Sequence, residues 1–238
     1  MLDAAIERML FGLSDEHVIL EPVSGQLLHP EALVAFDRLR EDARAAGFEP
    51  RVVSGFRDFE RQRTIWNGKA GGLRPLLDSR GEPLDAAALS PRERVYAILR
   101  WSALPGASRH HWGTDFDVID AAAVPDDYRP QLTPDEVDDR GVFGPFHRWL
   151  DERIAEGEAH GLFRPYAEDR GGIAPERWHL SYAPRSRELD DLLTPDALRR
   201  LWEQNELELE LCDTVCAELD EIYRRFIRVP PDCYPDAG

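Results

Sequence analysis

Residues 108–118 read Ser108-Arg109-His110-His111-Trp112-Gly113-Thr114-Asp115-Phe116-Asp117-Val118. From Thr114 onward the residues alternate, with Asp115 and Asp117 on one face and Thr114, Phe116 and Val118 on the other. That two-residue period predicts a strand over 114–119 with one buried face. Two histidines and a glycine lie just before it. A bend at Gly113 brings His110 back towards Asp117, since glycine allows an unusual φ and a close backbone approach. A histidine and a carboxylate converging on one point form half of a metal site. The other half is sought at Glu176-Arg177-Trp178-His179, where a second short strand is predicted over 178–182. Neighbouring strands of one sheet can deliver Asp117 and His179 to the same ion. Glu176, three residues before His179, then reaches towards water rather than the ion.

Each signal is weak taken singly, because a His beside an Asp is more often an ordinary hydrogen-bonded pair. Taken together they suit a catalytic zinc, which uses about three protein ligands and leaves a further position open. Zinc acidifies water, Glu176 serves as general base, and a nearby cation steadies the developing oxyanion. Arg57, at the turn after an upstream strand, is the leading cation. His111 is expected to line the cleft or bond a neighbour, because adjacent residues in an extended segment point apart. Asp115 either orients a ligand histidine or pairs with an arginine. His17, His29, His147 and His160 show no partner pattern and read as structural or solvated.

The 238 residues suffice for one large domain with a proper core, and the formal net charge of −17 argues against a nucleic-acid partner. No run of about 18 apolar residues is present, so no membrane span is expected. The N-terminus lacks the basic and apolar regions of a signal peptide. The expected location is therefore the cytoplasm, the alternative being the periplasm or secretion by a route not legible in the sequence. Cys212, Cys216 and Cys233 form no thiolate metal pattern and read as free.

Along the chain, the first dozen residues read as a short amphipathic helix. His29-Pro30 introduces a helix over about 31–46 that Gly47 ends. A strand follows over 48–54, and then a helix over about 58–69. Residues 69–105, rich in Gly and Pro, form an insertion that is either a substrate wall or a surface excursion. Within it Ser90-Pro91 starts a helix running to about Trp101. A polar loop is expected over 125–134 and a helix from Gly144 to about Ala159. One long helix is expected from Pro195 to Phe226, broken at most once, with Leu201, Leu207, Leu211, Val215, Leu219 and Ile222 available to pack. The architecture expected is α+β, a small antiparallel sheet flanked by helices. Residues 1–190 form the unit that carries the candidate metal site, and 191–238 a helical extension packed on the same domain.

The pattern Ser108-x-His110-x-x-Gly113-x-x-x-Asp117, followed by Glu176-x-Trp178-His179, resembles the VanY-type D-alanyl-D-alanine carboxypeptidases, zinc peptidases sharing a fold with the hedgehog signalling domain. Ser54-Gly55-Phe56-Arg57, with Gln62 five residues on, is similar to another segment of that family. The resemblance spans about residues 54–182. It implies one zinc held by His110, Asp117 and His179, with Glu176 as base and Arg57 at the substrate carbonyl or transition state. It further implies that Ser108 binds the substrate or braces the site, and that Gln62 serves the substrate. Arg57, Arg109 or an arginine of the insertion is a candidate to grip a free carboxylate bidentately. Asp115 departs from the family's pattern, which has a small apolar residue there. The insertion and the acidic tail also lie outside it. The function implied is removal of the terminal D-alanine from peptidoglycan stem peptides, by D,D- or L,D-cleavage. The alternatives are an endopeptidase of the same chemistry and a non-catalytic zinc-stabilised binding module. No oligomeric state follows from the sequence.

Overall fold

The computed structural model describes residues 3–204 and 208–235. Helix α1 (Ala4–Leu10) leads into the hairpin of β1 (Ile19–Leu20) and β2 (Leu27–Leu28). These are followed by α2 (Pro30–Ala45), β3 (Pro50–Ser54) and α3 (Phe59–Ala70), then by the hairpin of β4 (Leu76–Leu77) and β5 (Pro83–Leu84), and α4 (Pro91–Leu99). Next come β6 (Asp115–Asp120), α5 (Pro134–Val137), α6 (Gly144–Ala155), β7 (Leu162–Phe163) and β8 (His179–Tyr182). The helices α7 (Ala183–Leu192), α8 (Pro195–Gln204), α9 (Cys212–Ala217) and α10 (Leu219–Ile222) follow, with a π-helical turn at Tyr223–Ile227 and a 3-10 turn at Pro231–Cys233 after them.

The principal sheet has four strands in the order β3-β6-β8-β7, antiparallel throughout. Its alternation is the one the sequence predicts. Phe116, Val118 and Leu180 project from one face into a core built with Phe36 and Leu39 of α2 and Phe146 and Leu150 of α6. Burying a side chain of this size stabilises the fold by about 1.5–3 kcal/mol. Asp115, Asp117 and His179 take the opposite face. The fold is thus α+β, a small antiparallel sheet flanked by helices. A second core joins α3 and α4 to the C-terminal helices, through Trp66, Val95 and Ile98 against Leu198, Trp202, Val215 and Leu219.

Local sequence sets the helix starts. The Asp58 carboxylate accepts from the Arg61 amide at the head of α3, and Ser90 and Glu93 form a reciprocal capping box on α4. The long C-terminal helix, expected to break at most once, is broken twice among the described residues, between α8 and α9 and again at Glu218 between α9 and α10. Leu211 sits at φ 64° and separates α8 from α9. Side chains of α3 capture the backbone here: Trp66 Nε1–H donates to the Glu210 carbonyl, Asn67 Nδ2–H to the Glu208 carbonyl, and Asn67 Oδ1 accepts from the Glu210 amide. These tertiary bonds override helical propensity. Leu207 lies outside the described residues. Helix α7, unforeseen in the sequence, fills the interval after β8.

Two supports lead to the site. Gly113 adopts φ 65°, and a Cβ there would lie 2.4 Å from Val18 Cγ1 and 2.9 Å from the His29 amide nitrogen. Its carbonyl accepts from that same amide at 2.8 Å. The β1–β2 hairpin forms the second support. Its Leu27 carbonyl accepts from the Phe56 amide and Gln26 Oε1 from the Gly55 amide. The hairpin is itself tied down by Glu21, which pairs with Arg40 at 2.8 Å with both side chains buried.

Gly113→Ala is expected to destabilise the protein by about 2 kcal/mol or more, from left-handed strain plus overpacking. A denaturant midpoint unchanged from wild type would show the turn to be tolerant. Burial pushes the Glu21 carboxyl up, but bonds from Ser24, the Val23 and Ser24 amides and Arg40 outweigh it and hold it below its usual 4.5. A group with a lowered folded pKa contributes stability above its unfolded pKa and loses it as pH falls through the folded one. Glu21→Gln should therefore cost about 2 kcal/mol at pH 7 and flatten the loss of stability below pH ~4.5. Parallel acid limbs in urea titrations of the two proteins would contradict this.

Candidate metal and catalytic centre

The register of β6 on β8 sets Asp117 opposite His179 and Asp115 opposite Ser181. The short 3-10 turn Arg109–Trp112, ended by Gly113, returns His110 over the same face. One donor atom from each of His110, Asp117 and His179 lies within 4.8 Å of the others, and all three residues are buried. His110 Nε2 is 3.7 Å from Asp117 Oδ2, and His179 Nδ1 is 3.2 Å from Asp117 Oδ1.

The remaining bonds of the two imidazoles fix which nitrogen each offers. His110 Nδ1–H donates to the Gly55 carbonyl at 2.9 Å, leaving Nε2 free for the cluster. His179 Nε2–H donates to Asp115 Oδ1 at 3.1 Å, leaving Nδ1 free. His179 Nδ1 and Asp117 Oδ1 are both buried without a hydrogen-bond partner among the described residues. Such orphans are costly unless something else satisfies them. A pair of imidazole nitrogens and a carboxylate oxygen is a donor set suited to zinc.

The electrostatics point the same way. Burial lowers the His110 pKa to about 3, so its ring is neutral and a lone pair is available. Burial also acts to lower His179, but bonding to Asp115 and the adjacent Asp117 overcome it and raise the ring to about 10. The pocket thus favours a positive charge between His179 and Asp117. Glu176 Oε2 lies 3.6 Å from His179 Nδ1. Burial, reinforced by Asp117, raises the Glu176 carboxyl to about 7 against the pull of His179, Arg57 and Lys69.

Arg57 is held by its far side. Its Nη1–H donates to Gln62 Oε1 at 2.8 Å and its Nη2–H to Ser54 Oγ at 3.2 Å, while Gln62 Nε2–H donates to the Ala103 carbonyl. Gln62, fully buried, braces Arg57 and is not among the residues that line the cavity. His111 also acts on this segment: its Nδ1–H donates to the Arg57 carbonyl at 2.6 Å and its Nε2 accepts from the Gly106 amide. It bonds neighbours, away from the metal cluster. Ser108 borders the cavity beside His110.

Arg109 differs from the sequence expectation of a carboxylate clamp. Its guanidinium is buried, with Nε 2.7 Å from Asp115 Oδ1, Nη2 2.9 Å from Ser181 Oγ and Nη1 3.1 Å from the Tyr234 hydroxyl. These contacts engage each of its three nitrogens, using three of five N–H donors, and the partner hydroxyl comes from the far end of the chain. Asp115 therefore does both things the sequence allowed, orienting His179 and pairing with an arginine.

The cluster opens into a cavity of about 490 Å³. The insertion forms part of its wall through Lys69, Leu77, Arg80 and Trp101, and the segment Gln131–Asp135, which leads into α5, forms another part. Lys69 Nζ–H donates to Ser102 Oγ at 2.7 Å, and burial lowers its pKa to about 8. Tyr166, missed by the sequence reading, also lines the cavity, with its ring centroid 5.1 Å from that of His179. It belongs to no motif, so the sequence carries no signal for it.

A family model described as VanY, D-alanyl-D-alanine carboxypeptidase, matches residues 25–185, well over half the chain. The chain belongs to that family. An uncharacterized protein of Haemophilus influenzae is 43% identical over 99 residues, covering 40% of this chain and 68% of that one. A D-alanyl-D-alanine carboxypeptidase of Enterococcus faecalis is 29% identical over 147 residues, covering 60% of this chain and 44% of its own length. Among solved structures, the LD-carboxypeptidase LdcB is 21% identical with a TM-score of 0.49, covering 75% of each chain. The vancomycin-resistance D,D-pentapeptidase VanY in complex with Zn(II) is 22% identical with a TM-score of 0.48, covering 74% of this chain and 86% of that one. The family match includes Arg57, His110, Asp117, Glu176 and His179. It ends before α7 closes. No helix among the described residues is long and apolar enough to cross a membrane.

Purified protein is expected to take up one zinc, and His179→Ala to weaken uptake by more than the ~10–100-fold typical of losing a residue that only supports a ligand. Chelator competition with a colorimetric zinc indicator measures this. Undiminished affinity in His179→Ala would show that the ligand set is wrong.

Proposed function

We propose that the protein is a zinc-dependent carboxypeptidase that removes the terminal D-alanine from peptidoglycan stem peptides. The observation that carries this reading is the pair of orphaned atoms, His179 Nδ1 and Asp117 Oδ1, converging with His110 beside the Glu176 carboxylate. A purely structural site would have no use for a nearby, unliganded carboxylate and a braced arginine. Membership of the carboxypeptidase family supports the substrate class.

His110, Asp117 and His179 would hold the ion. When bound, zinc supplies a Lewis acid that acidifies water and polarises the scissile carbonyl. The protein's own groups do the rest. Glu176 takes a proton from the attacking water as the new carbon–oxygen bond forms, and returns it to the leaving amine as the carbon–nitrogen bond breaks. Its raised pKa suits both halves of that exchange, because a carboxyl poised near neutrality gives up and regains a proton with little loss either way. Arg57 presents its guanidinium to oxygen charge developing on the substrate. Its anchorage on Gln62 and Ser54 fixes it before the substrate arrives, so little reorganisation is needed during reaction. The bond from His110 to the Gly55 carbonyl serves the same end by fixing one tautomer. The wall of residues from the insertion limits the cavity on one side, which suits the end of a peptide.

Zinc-loaded protein should release free D-alanine from pentapeptide or tetrapeptide stems, as followed by mass spectrometry. Glu176→Gln should keep its zinc and lose about 10²–10⁴-fold in kcat. Turnover that survives this substitution would remove Glu176 from the base role. Cleavage confined to crosslinked dimers, with no D-alanine released, would replace the carboxypeptidase reading with an endopeptidase.

A further inference from the structure

The cluster's most heavily invested support lies at the other end of the chain. Tyr234 is buried, its ring centroid is 4.8 Å from that of Phe163, and the Arg187 guanidinium covers it at 4.9 Å. Its hydroxyl is 3.1 Å from Arg109 Nη1 and 3.2 Å from Asp190 Oδ2. Asp190 Oδ1 lies 3.7 Å from the same Arg109 nitrogen, and Asp190 Oδ2 also accepts from the Val229 amide at 3.2 Å. From Arg109 the path continues inward through Nε to Asp115 Oδ1, and from that same oxygen to His179 Nε2. The other Asp115 oxygen accepts from the hydroxyls of Thr114 and Ser181. Every residue on this route is buried, and Trp112 backs Arg109 with its ring 4.8 Å from the guanidinium carbon.

We infer that the C-terminal segment ending at Tyr234 is a latch on the metal centre. Tyr234 and Asp190 hold the Arg109 guanidinium, Arg109 holds Asp115, and Asp115 holds His179 in the one tautomer and ring orientation that turn Nδ1 towards Asp117 and His110. This rests on the ligand set proposed above. Tyr234 and Asp190 are positioning residues that touch neither the ion nor the reacting atoms. Both lie beyond residue 185, where the family match ends, whereas Arg109, Asp115 and His179 lie within it.

The physical case lies in the charges. A guanidinium buried among aromatic rings is costly unless its donors are satisfied. Without Tyr234, Arg109 keeps Asp115 and Ser181 but loses the bond that fixes its outer nitrogen. The guanidinium can then rotate, and Asp115 with it. Residues that orient a ligand histidine typically govern metal affinity by about 10–100-fold, and a group one bond further out should govern less.

The test is zinc affinity by chelator competition on the full chain, independent of turnover. Tyr234→Phe keeps the ring and removes only the hydroxyl. It should weaken zinc binding by about 3–10-fold, against ~10–100-fold for Asp115→Asn. Tyr223→Phe is the control. That hydroxyl also anchors the C-terminal segment, by donating to the Leu193 carbonyl at 2.7 Å, but it does not lie on the route. Its affinity should match wild type. In the Asp115→Asn background, Tyr234→Phe should add almost nothing, because the two act in series. Wild-type affinity in Tyr234→Phe overturns the latch while leaving the ligand set intact. Equal losses in the two tyrosine variants, or full additivity with Asp115→Asn, also overturn it by revealing a general loosening. Wild-type affinity in His179→Ala would overturn ligand set and latch together.

Discussion

The pairing of β6 with β8 is the constraint on which the rest of the site depends. It sets Asp117 across from His179 and Asp115 across from Ser181. A slip of one residue would turn the carboxylates into the apolar core and Phe116 into the cavity. Burial of Phe116, Val118 and Leu180 against α2 and α6 forbids that slip. The polar face therefore inherits its geometry from the hydrophobic one. The same packing that stabilises the domain measures out the spacing of the ligands.

The polar face concentrates charges that few interiors tolerate. Arg109, Asp115, Asp117 and Asp190 are all nearly inaccessible, and His110 and His179 lie among them. What makes this bearable is division of labour. Asp115 and Asp190 share Arg109, whereas Asp117 and His179 face each other with atoms left unsatisfied. The one network is closed and rigid, the other open and chemically receptive. Neighbouring groups are driven apart in character as a result: His110 is held neutral, and Glu176 is brought to about 7. Environments that separate titratable groups in this way are a mark of sites that handle protons.

Much of this was legible in the chain. The alternation after Gly113 gave the strand and the face shared by Asp115 and Asp117, and the Ser90-Pro91 signal gave the start of α4. The grouping of His110, Asp117 and His179 was legible because its members sit in short segments with characteristic spacing. The remainder depends on contacts with no local trace. Arg109 meets a tyrosine 125 residues away, and nothing near either residue announces the other. The break at Leu211 is imposed by Trp66 and Asn67, while the flanking sequence alone favours a continuing helix. Tyr166 reaches the cavity from a loop without regular structure. Whether the insertion walled the cavity or merely decorated the surface was undecidable from its Gly and Pro content. Leu77, Arg80 and Trp101 answer the question by their position.

Four cationic side chains, Arg57, Lys69, Arg80 and Arg109, and four acidic ones, Glu82, Asp117, Asp135 and Glu176, line the cavity of a molecule whose formal net charge is −17. The two facts act over different distances. Far from the protein an anionic solute feels the net charge and is repelled. Inside the cavity it meets charges of both signs at close range, where the local arrangement counts for more than the net charge. Ionic strength separates the regimes, because the Debye length is about 8 Å under physiological conditions and grows as salt is removed. Diluting the salt extends the repulsion outward while leaving the close contacts little changed. Encounter with an anionic solute is then slowest in dilute buffer and quickens as salt is added, the reverse of ordinary electrostatic steering. The protein's acidity becomes a filter on encounter, with selectivity exerted before any solute reaches the cavity.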